Sequence, residues 1–518
     1  MLKPIILIIL DGWGIGKDSK GNVLSRAKLP TIKKLNEFYP HVSLQASGIS
    51  VGLPWGECGN SEVGHTTIGT GKIIYQSLPR VSMSIQNGEF FKNEEFLKAM
   101  DNAAKNKSAL HLMGLVGNGA VHSHVNHLYA LLEMAKNQKI EKVFIHLFTD
   151  GRDCAPTSAV QSIRDLQQKL NEYKIGKIAT IGGRYFGMDR NDNWDRIEKS
   201  YNSMTKGEGE QITDPIAYLQ ASYKKEVFDE YIEPAVITEG GKPVGTIQDN
   251  DSIIFFNFRE DRARQITKAF VIPGFMKFKR TMLKNITFVS MTQYEDGLPV
   301  AVAFPPVKNI QSLGNLLSKA KKTQLRIAET EKFAHVTYFF NGGQEEALPH
   351  EDRVIIPSKN VASFDLAPEM SAVEITDTVL DVVSKDKYDF ILINYANADI
   401  VGHTGNEKAA IQAVETIDKC LEKLIAPVLK KGGCILISAD HGNVEEIKNA
   451  FTGEVNTEHS SNPVPLWFIT SENHRPGDPN LGQEPQGLLS DIAPTILELF
   501  EMKKPEEMTG SSLLSILQ

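Results

Sequence analysis

Cysteine is scarce in this chain. Four are present among 518 residues, at positions 58, 154, 420 and 434, and no two form a CxxC pair. A chain of this length does not depend on disulfides for its core, so the four read as reduced thiols of a cytosolic protein. Long apolar runs are absent as well. No stretch approaches the roughly 20 apolar residues of a membrane helix. The apolar segment Ile5–Leu10 is too short for the core of a signal peptide, and Asp11-Gly12-Trp13-Gly14 ends it without a cleavage-like site. Basic charge is not in excess, and the formal net charge of -8 excludes a broad nucleic-acid surface. An anionic ligand would therefore need a local basic cluster. Internal repeats and low-complexity tracts are also missing.

What is present is the balance of an ordinary globular protein, 41% hydrophobic and 23% charged. The length is too great for one compact core and predicts two or three domains. Short apolar runs at Ile5–Leu10, Leu110–Val116, Val143–Phe148, Ile178–Ile181, Ile253–Phe256, Ile286–Ser290, Phe390–Asn394 and Cys434–Ser438 read as buried strands. Runs that are continuous rather than alternating predict sheets covered on both faces. Between 407 and 430, Ile411, Val414, Ile417, Leu421, Leu424 and Val428 recur at spacings of three and four, which predicts a helix with Pro427 distorting its last turn. Strand–helix alternation along the whole chain predicts an α/β architecture with largely parallel sheets.

Polar residues gather where these strands end. Ile5–Leu10 runs into Asp11, Phe390–Asn394 leads to Asp399 and His403, and Cys434–Ser438 leads to Asp440 and His441. In open α/β sheets the ligand site lies beyond the carboxyl ends of the strands. The simplest topology puts the N-terminal stretch and the C-terminal third in one domain. The middle strands end instead in His122, Arg152, Asp153, Arg184, Arg190, Arg259 and Arg262, which predicts a second α/β domain inserted into the first. Prolines at Leu78-Pro79 and Phe304-Pro305-Pro306 mark its boundaries. The division expected is 1–77 with 307–518, and 78–306.

Asp399 and His403 stand one helical turn apart and can share a metal ion. Asp440 and His441 follow a buried strand, where neighbouring side chains point apart and suit two adjacent ions. Asp11 and His459 can complete the two sites, and mixed carboxylate and imidazole donors favour Mn or Zn. Any one of these groups alone also fits a cap or a satisfied buried polar residue. In Gly59-Asn60-Ser61-Glu62-Val63-Gly64-His65, Ser61 enters a helix, where backbone N–H groups and the positive helix end receive a phosphoryl group well. The same serine fits equally as a helix N-cap. As a nucleophile it needs activation, which two divalent ions supply. The arginines at successive strand ends fit an anion pocket. They also fit salt bridges to acids such as Asp189 and Asp261. Asp153 can serve as general acid/base for a substrate hydroxyl. His122 can contact phosphate or hydroxyl, whereas His124 and His127 fit core or surface roles.

These segments, with Asp150-Gly151-Arg152-Asp153, Gly182-Gly183-Arg184-Tyr185, Asp261-Arg262-Ala263-Arg264-Gln265 and Asp440-His441-Gly442-Asn443, resemble in kind and order the motifs of the cofactor-independent phosphoglycerate mutases. The likeness spans essentially the whole chain. It implies an alkaline-phosphatase-like domain holding two Mn ions, with a substrate-binding domain inserted into it. It also implies interconversion of 2- and 3-phosphoglycerate in glycolysis and gluconeogenesis, without 2,3-bisphosphoglycerate. By motif, Asp399, His403 and His459 resemble the ligands of one ion, and Asp11, Ser61, Asp440 and His441 those of the other. Lys332 resembles the family's active-site lysine. His122, Arg152, Asp153, Arg184, Arg190, Arg259 and Arg262 resemble its substrate contacts. Glu260 and Ala398 stand where proline is expected, and Cys58-Gly59 where Met-Gly is expected. None of these removes a proposed ligand.

The expected reaction runs through a phosphoserine on Ser61, with the two domains closing to keep water out. The expected partner is a small-molecule phosphoglycerate, in a cytoplasmic monomer with no nucleic-acid or membrane partner. The rivals are a metal-dependent phosphatase or sulfatase of the same superfamily, a phosphopentomutase, and a non-catalytic phosphometabolite sensor. The sensor would need a missing ligand or nucleophile, and none is missing.

Overall fold

The computed structural model describes residues 3–307, 310–449, 452–473 and 484–518. The chain divides into two compact units, Met1–Gln76 with Lys308–Gln518, and Ser77–Val307. Among the described residues, no helix is long and apolar enough to cross a membrane.

The first unit is built on an eight-stranded sheet. Its order is Glu351–Ile356, Gln324–Glu329, Phe390–Tyr395, Ile5–Leu10, Cys434–Ser438, Val464–Ile469, His41–Gln45 and Gly487–Leu488. The first five strands are mutually parallel, and only Val464–Ile469 runs against its neighbours. Ile5–Leu10 sits at the centre with all six residues buried. Each such aliphatic side chain removed from water contributes roughly 1.5–3 kcal/mol. β-branched residues suit this doubly covered position, because their stiff side chains fill both faces of the pleat. The helix Glu407–Lys430 lies over the sheet, with Ile417, Leu421, Leu424 and Val428 buried, and its helical pattern continues through Pro427.

Register aligns the functional ends. Leu10 pairs with Tyr395 and Ile9 with Ser438, while Ile327 pairs with Ile393. Four adjacent parallel strands therefore finish at one edge, and the loops leaving them carry Asp11, Asp399, Asp440 and Lys332.

The second unit has a nine-stranded sheet. Ala301–Phe304, Thr287–Thr292, Ser252–Phe255, Leu110–Val116, Val143–Thr149 and Lys177–Gly183 run parallel in that order. Ala235–Glu239 continues the sheet antiparallel to Lys177–Gly183. Here too the expected polar residues follow the carboxyl ends of adjacent strands.

Several strands escape the apolar-run criterion for physical reasons. Gln324–Glu329 is an interior strand, second from the sheet edge, with Arg326 and Glu329 fully buried in it. Arg326 is accommodated between aromatic faces, 4.8 Å from the Phe340 centroid and 5.2 Å from that of Phe390. Val464–Ile469 contains Pro465, which normally argues against an interior strand.

Candidate active site

The helix Ser61–Thr70 begins with Asn60, whose side-chain oxygen accepts from Val63 N. Asn60 is therefore the N-cap, and the capping role open to Ser61 is already filled. The Ser61 hydroxyl is free for other partners. It donates to Asp11 Oδ1 at 3.1 Å, lies 3.0 Å from His441 Nε2 and receives a hydrogen bond from Lys332 Nζ at 2.7 Å. Gly64 lets the helix press against the neighbouring loop, since a Cβ there would fall 2.6 Å from Asp440 O.

Lys332 is drawn directly onto two of the cluster's carboxylates. Its Nζ lies 2.6 Å from Asp11 Oδ1 and 2.7 Å from Asp399 Oδ2. Burial opposes its charge, yet Asp11, Asp399 and Asp440 hold the ammonium above its usual value. Burial pushes the Asp11 carboxyl up, aided by Asp440. Asp399 and Asp440 behave oppositely. Burial would raise both, but Lys332 holds Asp399, and His441 and His65 hold Asp440, well below the ordinary carboxylate range.

His403 and His459 converge on Asp399. Their Nε2 atoms lie 3.2 and 3.1 Å from Asp399 Oδ1 and 3.0 Å from each other. His403 Nδ1 faces Thr457 O at 2.6 Å, and His459 Nδ1 faces Gly59 O at 2.8 Å. Carbonyls accept only, so each ring carries its hydrogen on Nδ1 and turns an Nε2 lone pair inward. Two lone pairs at that separation repel each other unless positive charge lies between them. The contact with Asp399 accordingly raises His403, and against burial it raises His459 too.

A second deficit lies at Asp440. Its Oδ2 is 3.1 Å from His65 Nδ1, but that N–H is directed to Ser61 O at 2.9 Å. Among the described residues Oδ2 is thus buried without a hydrogen-bond partner. Such groups cost about 1–3 kcal/mol unless something meets them. Among the described residues, three donor groups have ligand atoms mutually within 4.8 Å: Asp399, His403 and His459; Asp11, Asp399 and His441; and Asp11, His65 and Asp440. The chemistry of this set fits divalent cations.

In the second unit Arg184 is buried and donates to Asp150 Oδ1 at 2.7 Å and Asp153 Oδ2 at 2.5 Å. Asp261 gathers Arg190 at 2.7 Å, Arg259 at 3.1 Å and His122 at 3.7 Å. The salt-bridge alternative thus holds for Arg190 and Arg259 with Asp261, whereas Asp189 takes Arg196 instead. Arg152 lies 3.6 Å from Glu230 and is half exposed. Burial and the neighbouring Arg184, Arg190 and Arg152 lower the Arg262 guanidinium. Burial and Arg184 push His122 down to about 4, so it is neutral at pH 7.

Comparison with known proteins agrees with this architecture. The family profile described as the BPG-independent PGAM N-terminus matches residues 81–296, and the type I phosphodiesterase / nucleotide pyrophosphatase profile matches residues 309–471. A 2,3-bisphosphoglycerate-independent phosphoglycerate mutase of Clostridium novyi is 51% identical over 512 residues, covering 99% of each chain. The chain belongs to the family of 2,3-bisphosphoglycerate-independent phosphoglycerate mutases. A Clostridioides difficile member is 50% identical over 516 residues, covering 99% of this chain and 100% of its own. A crystal structure of Leishmania mexicana phosphoglycerate mutase at low cobalt concentration is 29% identical, with a TM-score of 0.52, covering 99% of this chain and 97% of that one. The fold is α/β, an alkaline-phosphatase-like domain together with the phosphoglycerate mutase N-terminal domain.

One expectation about this family member's site is corrected. Asp440 and His441 do not point apart: His441 Nε2 and Asp440 Oδ2 lie 3.6 Å from one another. The strand ends at Ser438, so side-chain alternation no longer applies two residues later. Sequence reasoning also passed over His65, Asn394 and Asn443. His65 stands one helical turn after Ser61, a spacing that marks it. Asn394 donates to Asp11 Oδ2 at 2.7 Å, and Asn443 to Asp399 Oδ1 at 3.0 Å. His124 caps the helix Val125–Asn137, and His127 is buried against Ser82.

Proposed function

We propose that the chain interconverts 2-phosphoglycerate and 3-phosphoglycerate by passing the phosphoryl group through Ser61. The observation that carries this reading is the freed hydroxyl: Asn60 takes the capping role, and Ser61 Oγ is turned into a cluster of Asp11, His441 and Lys332. In this reading Met1–Gln76 with Lys308–Gln518 is the metal-binding domain, and Ser77–Val307 binds substrate. Asp399, His403 and His459 would hold one divalent ion, and Asp11, Ser61, Asp440 and His441 a second. Mixed carboxylate and imidazole donors favour Mn or Zn, and the family resemblance selects Mn for this proposal. Bound there, such ions supply Lewis-acid polarisation of the phosphoryl oxygens.

The remaining work belongs to side chains. Arg152, Arg184, Arg190, Arg259, Arg262 and His122 hold the substrate's carboxylate and phosphate. The crowding that lowers Arg262 supports an anion as their natural partner. Lys332, kept charged, orients Ser61 Oγ and counters charge on the transferring group. Ser61 gives up its proton to Asp11 Oδ1, to which its hydroxyl donates at 3.1 Å, and attacks phosphorus. As that bond forms, the bond from phosphorus to the substrate oxygen breaks, and Asp153 protonates the departing oxygen. In the second half Asp153 takes the proton of the other glycerate hydroxyl, whose oxygen attacks phosphorus, and Ser61 leaves and regains a proton. Each half returns what the other took, so no bisphosphoglycerate is needed. We also propose that the protein is a cytoplasmic monomer, and sedimentation tests its oligomeric state.

The deciding experiment supplies 3-phosphoglycerate and Mn without added bisphosphoglycerate and follows both isomer and free phosphate. The proposal expects 2-phosphoglycerate with little phosphate. Phosphate release without isomer would instead support a metal-dependent phosphatase.

A further inference from the structure

The ligands named under the proposed function come from separate loops, and one side chain outside that set touches three of them. Glu445 is 1% exposed, in the turn Val444–Glu446. Its Oε2 accepts from Gly14 N and from Asn443 N, each at 3.0 Å. Its Oε1 accepts from Asn462 Nδ2 at 3.0 Å and from the Ser460 hydroxyl. Gly14 follows Asp11 closely, Asn443 follows His441, and Ser460 comes directly after His459. Asn443 extends the reach, because its side chain donates to Asp399 Oδ1 at 3.0 Å.

The backbone makes room for this carboxylate. A Cβ at Gly14 would fall 2.2 Å from Glu445 Oε1, and one at Gly442 would fall 2.3 Å from it. Three of the four donors are N–H groups that cannot accept, so two acceptor-only oxygens satisfy the whole set. An amide in the same place would turn its own N–H groups towards them. Short backbone links run alongside: Ser460 N donates to Gly442 O at 3.0 Å, and Val444 N to Gly12 O at 3.1 Å.

We propose that Glu445 is the positioning residue of the metal centre, fixing the spacing of the loops that carry Asp11, His441 and His459. This rests on the ligand assignment of the proposed function. Groups that orient metal ligands typically contribute about 10–100-fold to metal affinity.

The test is Glu445→Gln in the full chain, with Mn binding measured by calorimetry and the absorption bands of the cobalt-substituted protein recorded. The expected result is an Mn Kd raised about 10–100-fold, altered cobalt bands, and activity regained as Mn is increased. A folded variant with wild-type Mn affinity and an unchanged cobalt spectrum overturns the proposal, even if it is less stable. If Glu445→Gln does not fold, Asn462→Ala removes one donor at a partly exposed position and is read in the same way. Weakened Mn binding supports the role, and unchanged affinity and spectrum overturn it. Wild-type protein that binds no Mn would refute the metal assignment itself, a different outcome from failure of the Glu445 proposal.

Discussion

Replacing Lys332 by methionine keeps an unbranched side chain one atom shorter and deletes its charge. The ammonium is buried, 2.6 Å from Asp11 Oδ1 and 2.7 Å from both Asp399 Oδ2 and Ser61 Oγ. Removing one member of a buried ion pair costs about 3–5 kcal/mol, because the charges left behind are neither paired nor hydrated. At about 2–4 °C per kcal/mol for a unit of this size, the metal-free Lys332→Met protein should melt roughly 6–20 °C below wild type. Mn should narrow that gap, since cations held by Asp11 and Asp399 replace the missing charge. Activity should not recover with stability. Loss of one preorganised donor to a reacting oxygen lowers kcat by about 10²–10³-fold, and saturating Mn cannot replace a hydrogen bond to Ser61 Oγ. Paired melting curves of chelator-treated and Mn-loaded proteins, with kcat at saturating Mn, test both halves. A metal-free variant melting within ~2 °C of wild type, with a gap indifferent to Mn, would refute the counter-charge argument.

Three further outcomes are expected. Exhaustive chelation should abolish isomerisation and Mn should restore it; full activity in protein shown metal-free by elemental analysis contradicts the metal reading. Arg259→Ala should raise the ratio of phosphate release to isomerisation, because glycerate is held less well while phosphate sits on Ser61; an unchanged ratio and substrate affinity make Arg259, already paired with Asp261 at 3.1 Å, a structural residue. Acid should loosen the second unit, where burial depresses His111 and His146 and pushes His127 down to about 3. Their folded values lie below the unfolded value near ~6.5, so stability is full above that pH and is lost as pH falls below it, down to about 3 for His127, at up to about 1.4 kcal/mol per pH unit for each histidine. Hydrogen exchange in Leu110–Val116 should accelerate across that window, and exchange independent of pH after correction for intrinsic rates contradicts it.

Much of this protein was legible where a single force dominates. Ile5–Leu10 and Cys434–Ser438 are continuous apolar runs because both faces are covered, and their ends point directly to Asp11 and Asp440. Legibility failed where a compensating contact hides the signal. Gln324–Glu329 carries a buried arginine made tolerable by Phe340 and Phe390, with Gln324 and Glu351 beside it, and the aromatic pair is remote in sequence. The roles of Asn60 and Ser61 were ambiguous because either residue can cap a helix, and only the hydrogen bond to Val63 N separates them. Glu445 was invisible for the same reason: its four partners come from three loops. In the second unit the arginines were recognisable at the strand ends, but their division between Asp150, Asp153 and Asp261 depends on side-chain geometry that spacing does not encode.

Phosphate passes through Ser61 in the proposed mechanism. Mn-loaded protein mixed with 3-phosphoglycerate and quenched in acid within one turnover should carry a phosphoryl group on the peptide containing Ser61. Ser61→Ala should lack that modification and lack isomerisation while keeping its fold. Isomerisation by folded Ser61→Ala, or a phosphoryl group found on another residue in the wild type, would contradict the account.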